Sequence, residues 1–547
     1  MKRAKVVATL LVLVILVSAL YGCNSQKDSM IVGVDFASNK HWPLNPFQSI
    51  GRNDVNLLVY DSLFTIDEHG FAEPRVVRSF VQEGSLYKIT LNEGIKFHNG
   101  KEMTSADVAD TLLRIIYVHG INEDNIPELF SALEKIDLVS KYELVFTLKN
   151  PDMMFWNKLT FGITPAYNPN QVEDKPWPAT IEKKNLSLVY INVNEDGHNG
   201  QVITDAYTKS TPVGSGPWQF EKESYNTFIT SNKPTKVELI KNEDYWKGNV
   251  GIEKVTLQKV ENGVYSVNSY LLTKSIDISP WTSPQWGDLS QMEYYSKFKT
   301  AEHLSLIQYL PSTTTQTIYF TKTNDTVKEY LVRQAIAYAI DREALLAAQT
   351  EQDGSSGIVT QEYLMPEHPW YFEIENPYEY NVKKARELLK EAGYEQGLTV
   401  IGRSSLNDVN QWKKTVVAKE LNRQFSEVGI TIDWLLPSSI EDFNVQLQRL
   451  PVLGVSSVIT FMNEKDRPFF EKYNDSIVQI LEEMMGNTDV DIQKQKYQEA
   501  LQKIHDQAYT VPLINENHYY AYNNRIQGLE LTNPNQVLVE LWQAILK

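Results

Sequence analysis

The clearest pattern in the chain lies in residues 87–114. Tyr87, Ile89 and Leu91 alternate with Lys88 and Thr90, the period of two expected of a half-buried strand, and Asn92-Glu93-Gly94 supplies turn chemistry. Ile95 and Phe97 resume the alternation, and His98-Asn99-Gly100-Lys101 reads as a second tight turn. Thr104, with Asp107 three residues on, forms a variant capping box that starts a helix. Val108, Leu112, Ile115 and Ile116 then recur at helical spacing, which lays one apolar stripe on the strands just made.

The same periodicities predict strands over 31–36, 143–148 and 186–193, and residues 307–320 read by themselves as a surface β-edge. They predict helices over 55–63 and 327–346, and one over 381–392 that Asn381 caps and Gly393 stops. A helix over 412–428 ends at Gly429 before the alternating strand 430–434, and a closing helix spans 491–506. Helix, glycine and strand in repetition predict α/β layering in the second half, while strands around a single helix predict a small α+β unit in the first. The polar stretch 167–209 has no assignment.

The 547 residues are 42% hydrophobic and 22% charged, which is globular composition with length for two or three cores. Lys2, Arg3 and Lys5 precede an uncharged run over 6–20 that is too short to span a bilayer and has the length of a signal-peptide core. Leu20-Tyr21-Gly22-Cys23 then resembles a bacterial lipobox, so residues 1–22 are expected to be a lipoprotein signal peptide, Cys23 the lipidated residue and 23–30 a tether. Cys23 is the one cysteine, which excludes an intrachain disulfide, a zinc-thiolate cluster and a catalytic cysteine elsewhere. A net charge of −17 argues against nucleic acid and against electrostatic adhesion to anionic membranes.

Enzyme signatures are absent: no Gly-x-Ser-x-Gly, no His-Glu-x-x-His and no Walker loop occurs. Ser296 and Lys299 match a two-residue serine-lysine motif whose companions are missing. The nine histidines are scattered, with none three or four residues from another. Expected, then, are no catalytic residues, no cofactor and no metal ligands.

Several blocks together resemble family 5 solute-binding proteins, the oligopeptide- and nickel-binding receptors of ABC importers. They are Tyr87-Lys88-Ile89-Thr90-Leu91, Gly94-Ile95-Lys96-Phe97-His98-Asn99-Gly100 and Thr104-Ser105-Ala106-Asp107-Val108, then Pro212-Val213-Gly214-Ser215-Gly216-Pro217-Trp218. Arg333-Gln334-Ala335-Ile336-Ala337-Tyr338-Ala339-Ile340-Asp341-Arg342 and Lys384-Ala385-Arg386-Glu387-Leu388-Leu389 continue the match. The resemblance implies an α/β, periplasmic-binding-protein-like fold (type II, cluster C), a two-lobed flytrap with an extra small α+β domain. Lobe I would comprise 31–54, 205–305 and 507–547, the small domain 55–204 and lobe II 306–506.

The resemblance also implies a ligand cleft between the lobes. Trp42 falls at its edge, Trp281 on a Pro/Trp-rich loop that approaches ligand, and Thr314, Thr315 and Gln316 where the chain crosses between lobes. Trp412 and Asn515 are further candidates. Where peptide-binding members hold the peptide ammonium with a Trp and an Asp, this chain offers Asn463, Glu464 and Asp466 as competing acid-site positions and no Trp. The expected function is capture of oligopeptides by a monomeric, lipid-anchored receptor on the extracytoplasmic face of a bacterial membrane, and delivery to permease subunits driven by cytoplasmic ATPases. A receptor for chelated nickel or another metal, an oligosaccharide receptor, and a pheromone-peptide signalling receptor are the alternatives.

Overall fold

The structure, a computed structural model, describes residues 29–34, 55–120, 132–166, 180–182, 212–230, 235–260, 264–280, 297–320, 330–353, 357–403, 409–435, 445–451, 458–459, 475–529 and 538–547. Among these residues three larger sheets carry the fold. The first sets Ser29–Val34 parallel to Lys254–Lys259, followed by antiparallel Lys236–Lys241 and Trp218–Phe220. Met30, Val32, Val237, Leu239, Val255 and Leu257 give it a buried face, and Leu538, Leu541 and Ala544 from the end of the chain join that core.

The second sheet is antiparallel, in the order Val77–Glu83, Leu86–Leu91, Glu143–Leu148, Leu133–Leu138 and Thr180–Glu182. Tyr87, Ile89 and Leu91 bury one side of it under the helix Ser105–Gly120, whose Val108, Leu112 and Ile115 are fully enclosed. The predicted cap forms in one direction: Asp107 Oδ2 accepts from the Thr104 backbone N–H at 2.8 Å and from its hydroxyl at 2.7 Å, while Asp107 N–H donates to the Thr104 carbonyl and not to its side chain. Burial of that carboxylate is offset by further bonds from Ala166 N–H and Lys101 Nζ.

The third sheet is mixed, in the order Gly357–Val359, Thr510–Asn523, Leu304–Phe320, Val445–Pro451, Leu398–Arg403 and Ile430–Leu435. Two of its strands are long enough to serve two cores. Ile307, Tyr520 and Tyr522 pack with the first sheet, whereas Ile318, Phe320, Val511, Leu513 and Ile514 pack with the third. Their antiparallel register shifts between Tyr309/His518 and Thr314/Glu516, so the pair is irregular where it passes from one core to the other.

Three predicted helices differ. Residues 55–63 hold only the short 3-10 turn Asn56–Leu58, because Leu57, Leu58, Val59 and Tyr60 are all buried and leave no polar face for an amphipathic helix. The predicted 327–346 helix is two, Tyr330–Tyr338 and Arg342–Asp353, because Asp341 caps the second by accepting from Ala344 N–H at 2.9 Å. The predicted 412–428 helix divides into Val409–Trp412 and Val416–Glu427, where Thr415 is the N-cap. Asn381 and the positive φ of Gly393 bound their helix as expected. The strand predicted at 186–193 lies outside the described residues.

Candidate functional site

The two long strands place a ladder of buried polar side chains where they pass between cores. Thr315 Oγ1 donates to Asn515 Oδ1 at 2.6 Å, and Asn515 Nδ2 reaches the Leu364 carbonyl at 3.3 Å. One position on, Gln316 Nε2 donates to Glu516 Oε1, and Gln349 Nε2 from a neighbouring helix donates back to Gln316 Oε1 at 3.0 Å. All five groups are at most 4% exposed, so each would be costly to leave unpaired.

An open pocket of about 360 Å³ adjoins this ladder, with Asn515 in its wall beside Arg342, Thr360, Glu362 and Tyr371. Arg342 is buried, donates to the carbonyls of Pro512 and Tyr378, and leaves Nη2 without a partner; burial pushes its pKa down to about 10. Burial pushes the Glu362 carboxyl up to about 8, against the opposing hydrogen bonds from the Tyr497 hydroxyl and from the backbone N–H of Leu364 and Tyr363. Burial therefore biases this carboxyl in the pocket wall toward its neutral form.

Two histidines join segments that are distant in sequence. His98 Nδ1 accepts from Gly214 N–H at 3.2 Å, so Nε2 carries the proton and donates to Gly216 O at 3.0 Å. Gly214 and Gly216 make this approach possible, since a Cβ on Gly214 would lie 1.9 Å from Val59 O. Beside it Asp61, wholly buried, accepts from Arg75 Nε at 2.7 Å, Trp246 Nε1 at 2.9 Å and Ser215 Oγ at 3.0 Å. This hub fastens the antiparallel sheet's surroundings to the first sheet.

The second histidine, His368, accepts from Trp370 N–H at Nδ1 (3.0 Å) and donates from Nε2 to His69 O at 2.9 Å. His69 lies in the turn between the short strands Phe64–Ile66 and Ala72–Pro74. Around that bond Phe71 rests on Trp370 with centroids 5.4 Å apart, and Met153 and Met154 enter the cluster built by Tyr363, Leu364 and Trp370.

Of the residues that the sequence singles out, Thr315, Gln316 and Asn515 come together in the ladder. The backbone of Thr314 pairs with Glu516, while its side chain lies outside the described residues. Trp412 is 3% exposed and packs edge-on against Trp434 at 5.3 Å, so its ring is part of the core on the third sheet and not of an open surface. Cys23, Trp42, Trp281, Asn463, Glu464 and Asp466 lie outside the described residues. Sequence reasoning passed over Gln349, Glu362, His368 and the Asp61 hub. None has a local signature, because each owes its role to a partner more than ten residues away.

Among the described residues no group of three or more His, Cys, Asp or Glu side chains could hold a metal ion, and no helix is long and apolar enough to cross a membrane.

The profile of the bacterial extracellular solute-binding proteins, family 5 (middle region), matches residues 72–449. The oligopeptide-binding protein AppA of Bacillus subtilis is 25% identical over 417 residues, 72% of this chain and 68% of that protein. The glutathione-binding protein GsiB of Pectobacterium atrosepticum is 27% identical over 419 residues, 74% of this chain and 68% of that protein. The crystal structure of the ABC transporter substrate-binding protein CtaP from Listeria monocytogenes superposes with a TM-score of 0.71 at 20% identity, covering 95% of this chain and 99% of that one. The two-lobed type II architecture is common to these neighbours, and the chain belongs to the bacterial extracellular solute-binding proteins of family 5, the receptors of ABC importers.

Proposed function

We propose that this protein captures oligopeptides in the cleft between its lobes and hands them to an ABC permease. The family match carries the reading, and it is sharpened by the likeness to a protein named for oligopeptide binding. The glutathione-binding relative points the same way, since glutathione is itself a short peptide. Other family neighbours take up different solutes; one crystal structure holds nickel bound by histidine. Lobe I is read as 31–54, 205–305 and 507–547, the small domain as 55–204 and lobe II as 306–506. The two long strands then form the crossing between lobes, and Asn515 in the pocket wall is a candidate ligand contact. Trp42, Trp281, Thr314, Asn463 and Asp466 stay candidates for the cleft.

In this reading Cys23 carries the lipid, residues 23–30 form the tether, and a monomer works on the extracytoplasmic face without catalysis. Backbone pairing with an extended peptide reads few side chains and so permits broad specificity. Calorimetric titration with di- to nonapeptides, glutathione and a nickel–histidine chelate tests it. Saturable heat with peptides and none with the chelate is expected; the converse overturns the peptide reading. The lipid is tested separately, by globomycin-sensitive processing and loss of membrane retention in Cys23→Ser.

A further inference from the structure

The contact between the turn at His69 and the segment around His368 brings together residues 299 apart in sequence. It joins the small domain to lobe II, and the inference below rests on the two-lobed reading given above. Among the described residues the polar part of the contact is the bond from His368 Nε2–H to His69 O at 2.9 Å. The opposite ring nitrogen is occupied by Trp370 N–H at 3.0 Å, which can only be accepted by a lone pair. A protonated imidazole has no such lone pair. The Nε2–H that bridges to His69 O is present in the neutral ring and in the imidazolium, whereas the bond from Trp370 N–H is accepted by the neutral Nε2–H tautomer alone; protonation sets Nδ1–H against the Trp370 N–H and so displaces the ring from the position that reaches His69 O.

We propose that His368 is the bolt of a proton-sensitive latch: as a neutral Nε2–H imidazole it fastens lobe II to the small domain when the lobes close, and protonation releases it.

The surroundings agree. His69 stands edge-on to His368 with centroids 5.2 Å apart, and Phe71 lies 6.0 Å away, so residues of the opposite segment help to enclose a ring that is 3% exposed. The titratable groups that act on it are His69 from the turn, itself flanked by Asp67 and Glu68, and Lys494 from the helix Val490–Asp506, whose ammonium donates to Pro369 O. Burial lowers the pKa of His368 to about 4 in the joined state; the carbonyl of His69 opposes that shift, while His69 and Lys494 add to it.

An open form that exposes the ring titrates near the ordinary value of 6.5. The sign follows from linkage: the joined form binds the proton more weakly, so joining is complete above pH 6.5 and weakens by up to about tenfold per pH unit as pH falls toward 4.

The test is small-angle X-ray scattering of the protein at about pH 7.5 and about pH 5, for wild type and His368→Asn, with and without a mixed nonapeptide pool. Asn keeps an acceptor for Trp370 N–H and is too short to reach His69 O, so the local turn survives while the bridge does not. Wild type should expand on acidification, and His368→Asn should already be expanded at about pH 7.5 with little further response. Equal acid responses in both proteins overturn the latch. So does an imidazole ¹⁵N spectrum that shows an Nδ1–H tautomer for His368 at neutral pH. If peptides compact the protein while wild type is insensitive to pH, the latch alone fails. If neither peptide, acid nor the substitution changes its size, the contact is permanent, and the reading of two moving bodies fails with it.

Discussion

His98 and His368 use the same chemistry to opposite ends. Each is a neutral ring that accepts at Nδ1 and donates from Nε2 to a distant carbonyl, and burial lowers the pKa of both. Both bonds of His98 go to one foreign segment, Gly214 to Gly216, and the backbone adds a third from His98 N–H to Gly214 O at 2.8 Å. The Asp61 hub lies alongside. His368 spends one of its bonds on its own segment and sends a single one across. An identical side chain is thus a rivet where neighbouring polar groups share the load, and a bolt where it bridges alone. What decides is the number of independent bonds that must break together.

That contrast can be broken most forcefully at the rivet. Asp61→Asn removes the charge that compensates Arg75 in a fully buried site, and it should cost about 3–5 kcal/mol of unfolding free energy in a urea titration. A loss within experimental error would mean that the hub does not hold the joint. His98→Ala should cost about 1–3 kcal/mol in the same titration, mostly by stranding Gly214 N–H in a buried place, since Gly216 O keeps its bond from Asn242 Nδ2.

Glu362 sharpens the other side of the comparison, since it lies six residues before His368 and titrates in the opposite sense. Its folded pKa of about 8 exceeds the ordinary 4.5, so its contribution is full below 4.5 and is lost as pH rises toward 8. For His368, with a folded value of about 4 against 6.5, stability is present above 6.5 and lost as pH falls toward 4. The two slopes partly cancel between about 4.5 and 6.5. Glu362→Gln should raise the melting temperature at pH 8, leave it nearly unchanged at pH 4, and expose the acid-side slope of His368. If Glu362→Gln leaves the pH profile unaltered, Glu362 is an ordinary carboxylate.

The smallest expected effect is that of His368→Asn on unfolding free energy at neutral pH, about 1 kcal/mol or less for one exchanged hydrogen bond, read in the same urea titration. A large loss there would make the bolt a second rivet.

These contrasts also mark what the sequence could convey. The strand at Tyr87–Leu91, the Thr104–Asp107 cap and the Asn381–Gly393 helix were legible because their causes lie within a few residues: alternation, a capping side chain, a glycine with positive φ. Asp341 before Arg342-Glu343-Ala344 was a legible cap as well, but the apolar period that runs on through Ala339 and Ile340 obscured it. Residues 55–63 misled for a related reason, since burial on every side imitates a strong helical stripe. Thr315, Gln316 and Asn515 could be singled out through the family resemblance. Their mutual pairing could not, because Thr315 and Asn515 are 200 residues apart. His368 looked like any loop histidine, for nothing near it in sequence announces His69.

The central claim is that a family 5 receptor closes its two lobes on a peptide. Native mass spectrometry of the protein as purified, followed by denaturing release of whatever it retains, tests that most directly. The account predicts retained masses that fragment as short peptides and that are lost on acidification to about pH 5. A retained metal chelate or sugar, in place of peptides, would contradict it.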